Sequence, residues 1–209
     1  MLSPADTNPQ ISETKRLIRE QAETLFGHYG FSKTSVGDIA KACSMSTGNI
    51  YRFFRSKQAI GIAVVHNYFE HQAQRMLEAR AETVGNAADR LRATITAGVA
   101  YLVDTMDGNP RIFELAEFVI EDSEGGQLME AQRQFLRWIV SDLVAEGARE
   151  GIFVSTDPDH DGWTLLLSTT GFWMPQALVA WHDQSMIMDD LREVLSLSLN
   201  GLRAPGRGG

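Results

Sequence analysis

The run Ser46-Thr47-Gly48-Asn49-Ile50-Tyr51-Arg52, followed by Lys57, gathers two hydroxyls, an amide, a phenol and two cations around one position that has no side chain. These groups make neither a nucleophile with its base nor a metal-ligand set. They are donors and acceptors suited to base edges and phosphate oxygens. Asn49 can offer its amide to adenine, Thr47 its methyl or hydroxyl to a base edge, and Gly48 lets the backbone approach closely. Lys57 combines an ammonium with the free amides at the head of the next helix. Upstream, Thr34 and Ser35 can cap a helix and still donate a hydroxyl proton to phosphate, capping being the main role of Ser35. Arg55 is expected on a solvated face.

Two short helices around a tight turn would position these groups. Val36, Ile39, Ala40 and Cys43 share one face of the first, and Ile50, Phe53 and Phe54 form the apolar side of the second. Ser35 with Asp38 reads as a capping box, and Ser46 stands at the N-cap of the second helix, which fits a DNA major groove. The stretch Thr34-Ser35-Val36-Gly37-Asp38-Ile39-Ala40, then Ser46 to Lys57 with Gly48, Tyr51, Phe54 and Ser56 in frame, resembles the TetR family of bacterial repressors over about residues 11–60. The resemblance implies that Tyr51 holds a phosphate and that Arg52 holds a phosphate or a base. One departure is Ser44, where the family usually has Gly, at a turn that favours positive φ.

The chain of 209 residues carries a formal charge of −8, unequally spread. Residues 1–60 hold eight Lys/Arg and five Asp/Glu, a balance of +3, and the remainder holds −11. Phosphate responds to the local field, so only the first segment suits a polyanion. The single cysteine, Cys43, excludes an intrachain disulfide framework and a Cys-rich zinc site; its neighbours make it a core residue. The first ten residues lack a basic region followed by an apolar stretch, and no later apolar run reaches a spanning length of roughly 18 residues. No membrane partner and a cytoplasmic location are expected.

Breakers and caps divide the chain into about nine helices, an all-α class. After a first helix ending near Tyr29 and the helix pair, the periodicity predicts helices over 57–83, 87–106, 110–121, 127–150, 158–182 and 186–202. Ile152 to Thr156 has strand-like composition but no obvious partner and is expected as an extended linker. Residues 1–57 are expected to form an amino-terminal arm and helix-turn-helix DNA-binding domain. Residues 58–203 would bind an effector and dimerise, the helix from 57 joining the two parts, and 204–209 would be a flexible tail.

One short helix contacts only a few base pairs, so two copies on a pseudo-palindromic duplex operator, and hence a homodimer, are expected. Within 158–182, Ser168 and Gly171 permit close backbone approach and Leu165, Phe172 and Leu178 add apolar area, joined by Val194, Leu195 and Leu199. In the family the middle helices enclose an apolar ligand. Tyr101, Phe113, Glu117, Phe118, Trp138 and Trp173 are the candidates here for a small apolar or aromatic effector that releases the operator by population shift. The alternative is an architectural or effector-independent DNA-binding protein. Asp157 to Gly162 imitates the opening of a calcium loop, but the twelfth position is Ser168 rather than Glu, so no metal is assigned and no cofactor is expected. His66 and His71 are five apart, and neither a Gly-x-Ser-x-Gly elbow nor a phosphate-cradling loop is present, which argues against an enzyme.

Overall fold

Caps and breakers set most helix ends in the computed structural model, which describes residues 9–109, 111–180 and 186–203. Ten α-helices lie among the described residues: α1 (Pro9–Tyr29), α2 (Val36–Ala42), α3 (Thr47–Tyr51), α4 (Lys57–Glu82), α5 (Ala87–Gly108), α6 (Glu114–Ile120), α7 (Ser123–Arg149), α8 (Pro158–Ser168), α9 (Pro175–Ala180) and α10 (Ile187–Leu202). A 3-10 turn, Thr170–Trp173, joins α8 to α9. The expected all-α class holds. The segment expected as a partnerless linker does find one contact, an isolated antiparallel bridge from Phe153 to Arg203, beside which the Val154 amide donates to the Leu202 carbonyl at 2.7 Å.

Three helices differ from expectation, and the one expected over 110–121 is the shorter α6, which starts at Glu114. The helix predicted over 158–182 is broken: α8 stops where the Thr169 hydroxyl turns back to the Leu166 carbonyl at 3.0 Å, and Met174 is extended (φ −107°, ψ 109°) ahead of Pro175. The proline ring disfavours the helical region for the residue before it, so a new helix starts at Pro175 itself. The predicted end at His182 lies outside the described residues. Conversely α7 begins at Ser123, four residues early, and runs through Gly125-Gly126, the pair expected to precede it. A Cβ at Gly125 would overlap the Val119 carbonyl oxygen, so this glycine allows α7 to start against α6 rather than breaking a helix.

The chain divides into two compact units, one of residues 1–69 and 105–130 and one of 70–104 and 131–209. In the first, Phe26 of α1, Ile39 of α2, Ile50 of α3 and Ile60 of α4 are fully buried in one core. Ile112, Leu115 and Val119, from far along the chain, complete that core. Burying a side chain of this size contributes about 1.5–3 kcal/mol, so α6 is a substantial part of what stabilises the helix pair. Asn109 packs on Gly27, and Arg111 donates to the Tyr29 carbonyl at 3.2 Å.

In the second unit, Leu91, Ile95, Ile139, Leu143, Leu195 and Leu199 are among the fully buried residues. An ionic lattice closes one end. Arg80 pairs with Asp142 at 2.5 Å and Glu146 at 3.2 Å, while Arg90 pairs with Glu146 at 2.6 Å and with Glu150. The free amide of Ala87 at the head of α5 donates to the same Glu150 carboxylate at 2.8 Å. Among the described residues no helix is long and apolar enough to cross a membrane.

Candidate DNA-reading site

The helix pair is built as its caps require. The Asp38 amide donates to the Ser35 hydroxyl at 3.1 Å, and the Asp38 carboxylate accepts from the Ser35 amide at 2.9 Å and its hydroxyl at 2.6 Å. These Ser35 donors hold the Asp38 carboxyl below the usual carboxylate range. The resulting stability is present above the ordinary carboxylate pKa and is lost as pH falls through the lowered folded value. Ser46 caps α3, accepting from the Asn49 amide at 3.2 Å. Between the helices, Met45 donates to the Ala40 carbonyl at 2.8 Å and Ser44 to Lys41 at 3.1 Å, with Ser44 at φ 56°. That is a Schellman termination with serine where glycine is cheaper.

α3 has one buried side chain, Ile50, and it anchors the helix to α2. Thr47, Gly48, Tyr51 and Arg52 are exposed around it, with Asn49 part-exposed. Nothing lies within 4 Å of where a Gly48 Cβ would stand. The fold itself therefore makes no demand for glycine there.

Two expected contacts turn inward instead. Thr34 is 2 % exposed, and its hydroxyl donates to the Gly30 carbonyl at 2.9 Å. Its proton is spent closing the turn after α1, so Thr34 is withdrawn as a phosphate donor. The Lys57 ammonium donates to the carbonyls of Phe31 at 2.8 Å and Thr34 at 3.0 Å and sits 4.4 Å from the centre of the Phe31 ring. Burial pushes its pKa down. Lys57 ties α4 to the α1–α2 turn, because two carbonyls left without intrahelical partners attract it more strongly than open solvent does. Arg55 is exposed, as expected, and also reaches Glu124 at 2.7 Å, a partner that sequence distance hides. The Cys43 thiol is buried and its pKa raised, which keeps it protonated.

The expected effector residues are not all drawn together. Trp138 is 53 % exposed, and Phe118 packs on Phe31 at a ring separation of 4.9 Å, within the first unit. Both are withdrawn, Trp138 because it faces out and Phe118 because it lies at the surface of the first unit, against Phe31. Phe113 lies edge-on to Tyr68, and the Glu117 side chain is outside the described residues. In the second unit Tyr101 lies beside His71, and Trp173 donates from its indole to the Thr169 hydroxyl at 3.1 Å. Sequence reasoning missed an amide chain centred on the buried Gln72 there: the part-buried Gln132 donates to Gln72 at 2.7 Å, and Gln72 donates to the Gly98 carbonyl at 2.9 Å. A Cβ at Gly98 would come within 2.8 Å of the Trp173 ring.

The expected dimer residues also divide. Leu165, Phe172, Leu178, Leu195 and Leu199 are buried within the unit itself and belong to its core. Ser168 is exposed, its hydroxyl 3.1 Å from that of Ser198, and Gly171 and Val194 are part-exposed. The outward apolar residues of α8 and α10 are Leu167 and Leu197, at 53 % and 75 % exposure. The hydrophobic period does not separate buried from outward residues here, since both sides carry leucine.

Residues 18–64 match the bacterial regulatory proteins of the tetR family, and residues 87–195 match the tetracyclin repressor-like C-terminal domain. The HTH-type transcriptional repressor KstR2 of Rhodococcus jostii is 24% identical over 97% of each chain. The HTH-type regulator YuxN of Bacillus subtilis is 37% identical over 32% of this chain, a match spanning only 23% of its own length. A transcriptional regulator from Saccharomonospora viridis, solved in complex with choline, shares the fold with a TM-score of 0.72 and 18% identity, over 93% of this chain and 100% of that one. With its helix pair capped as described and both matched regions in order, the chain belongs to the TetR family of helix-turn-helix transcriptional regulators.

Proposed function

We propose that the protein is a repressor that reads a pseudo-palindromic operator as a homodimer and leaves it when a small apolar or aromatic effector binds. The observation that carries the reading is Gly48: exposed, with open space where a side chain would stand, and flanked by Thr47, Asn49, Tyr51 and Arg52. A glycine that its own fold does not require is explained by a surface that approaches from outside, and a major groove supplies one. Ser46 sets the start of α3, Ser35 that of α2, and Lys57 holds the turn behind them. Gly48→Ala tests this. It should leave thermal stability unchanged or slightly raised, alanine being about 0.8–1 kcal/mol better than glycine within a helix. It should also weaken operator binding at least about tenfold in a fluorescence titration. Unchanged operator affinity would count against α3 as the reading element.

The dimer reading is supported by the outward leucines of α8 and α10, Leu167 and Leu197, apolar side chains that face solvent on the two helices joined by the Ser168–Ser198 hydroxyl contact. The effector reading is supported by Trp173, whose ring lies at Gly98, where Gln72, joined to Gln132, donates to the Gly98 carbonyl: an apolar ring beside a few polar anchors. Release requires the effector to bind the operator-incompetent arrangement more tightly, a coupling of about 1–3 kcal/mol.

A further inference from the structure

Three cations follow the reading residues in the chain, Arg52, Arg55 and Lys57, and each has a different fate. Lys57 is turned inward to two carbonyls, Arg52 is exposed, and Arg55 is held by Glu124 at 2.7 Å with the two side chains 68% and 51% exposed. Glu124 stands in the first turn of α7, where the helix amides favour its charge. That turn is firmly seated, because α7 starts against the Val119 carbonyl through Gly125 and Val119 is buried in the core that holds Phe31 and Ile50. An ion pair so exposed contributes little to stability, so exchanging its acid for another anion costs little. A guanidinium presents the same paired donors to carboxylate and to phosphate.

We infer that Glu124 is a built-in competitor for DNA phosphate at Arg55. In the free protein the carboxylate masks the cation, and on the duplex a phosphate oxygen replaces it. This rests on the reading that Thr47 to Arg52 face a duplex, since Arg55 follows that stretch by three residues. α7 continues past residue 130 into the second unit, so a shift of its first turn alters the masking and with it the affinity for any duplex.

The test titrates Glu124→Gln, Arg55→Gln and the double variant against a labelled mixed-sequence duplex and against an operator recovered by selection from a random library, at two salt concentrations. Glu124→Gln should tighten binding about three- to tenfold on both duplexes alike, because phosphates carry no sequence information. Its slope of log affinity against log salt should stay near the wild-type value, because the Arg55–phosphate contact forms in both complexes. Arg55→Gln should weaken binding and flatten that slope by about 0.9 per subunit, and in its background Glu124→Gln should add nothing. Wild-type affinity for Glu124→Gln, an effect that persists without Arg55, a wild-type slope for Arg55→Gln, or weaker binding of Glu124→Gln together with a lowered Tm would each overturn the inference. Those outcomes leave the Gly48 result untouched, whereas a wild-type protein that prefers no duplex over another removes the parent reading as well.

Discussion

α3 and α10 pose the same question, which side faces out, and answer it by different means. In α3 the one buried side chain, Ile50, is apolar and its exposed neighbours are polar or small, so polarity sorts the two sides. In α10, Leu191, Leu195 and Leu199 are buried while Leu197 projects into solvent, and α8 repeats the pattern with Leu165 inside and Leu167 outside. A helix with apolar residues on both sides serves two contacts, and the hydrophobic period identifies that arrangement without saying which contact is the core.

The contrast is most sharply tested on α10. Leu195→Ala should lose about 2–5 kcal/mol in chemical denaturation, the cost of a cavity in a packed core. Leu197→Asp should keep the far-ultraviolet circular dichroism of the folded chain while shifting sedimentation toward the monomer. Similar losses of helical signal in the two variants would erase the distinction between inner and outer face. A smaller effect is expected at the helix pair. Lys57→Met leaves the Thr34 carbonyl without its donor and the Phe31 carbonyl with only the Thr34 amide, and should lower stability by roughly 1–3 kcal/mol while leaving the salt dependence of DNA binding as it was. A flatter salt slope at unaltered Tm would return Lys57 to the phosphate contacts. Smallest of all, Ser44→Gly should raise stability by about 0.5–1 kcal/mol in thermal unfolding, since glycine adopts φ 56° without a Cβ penalty.

The amino-terminal region was legible in the chain because its signals are local. Ser35, Asp38 and Ser46 act on amides within three residues, and their hydrogen bonds form as their spacing predicts. The strain at Ser44 was likewise visible as a missing glycine. What escaped the sequence reading depends on partners distant along the chain. Lys57 is claimed by carbonyls 26 and 23 residues away, Arg55 by an acid of α7, and Gly125 by the Val119 carbonyl across a corner. The break at Pro175 was there to be read: an apolar run outweighed the proline that forces Met174 out of the helical region. In the effector region, aromatic residues at helical spacing gave no way to tell Trp138, which faces solvent, from Trp173, which packs on Gly98.

The first unit closes its core with Ile112, Leu115 and Val119, which enter the chain more than forty residues after Val64. Engineers who graft this DNA-binding half onto another sensor therefore inherit a seam. A chimera cut after α4 would leave Phe31, Ile60 and their neighbours facing foreign side chains in place of α6. Transplants that carry residues 105–130 along with 1–69 should stay folded where the shorter graft precipitates, and the α6 segment becomes the natural place to seek compensating changes when operator specificity is exchanged between relatives.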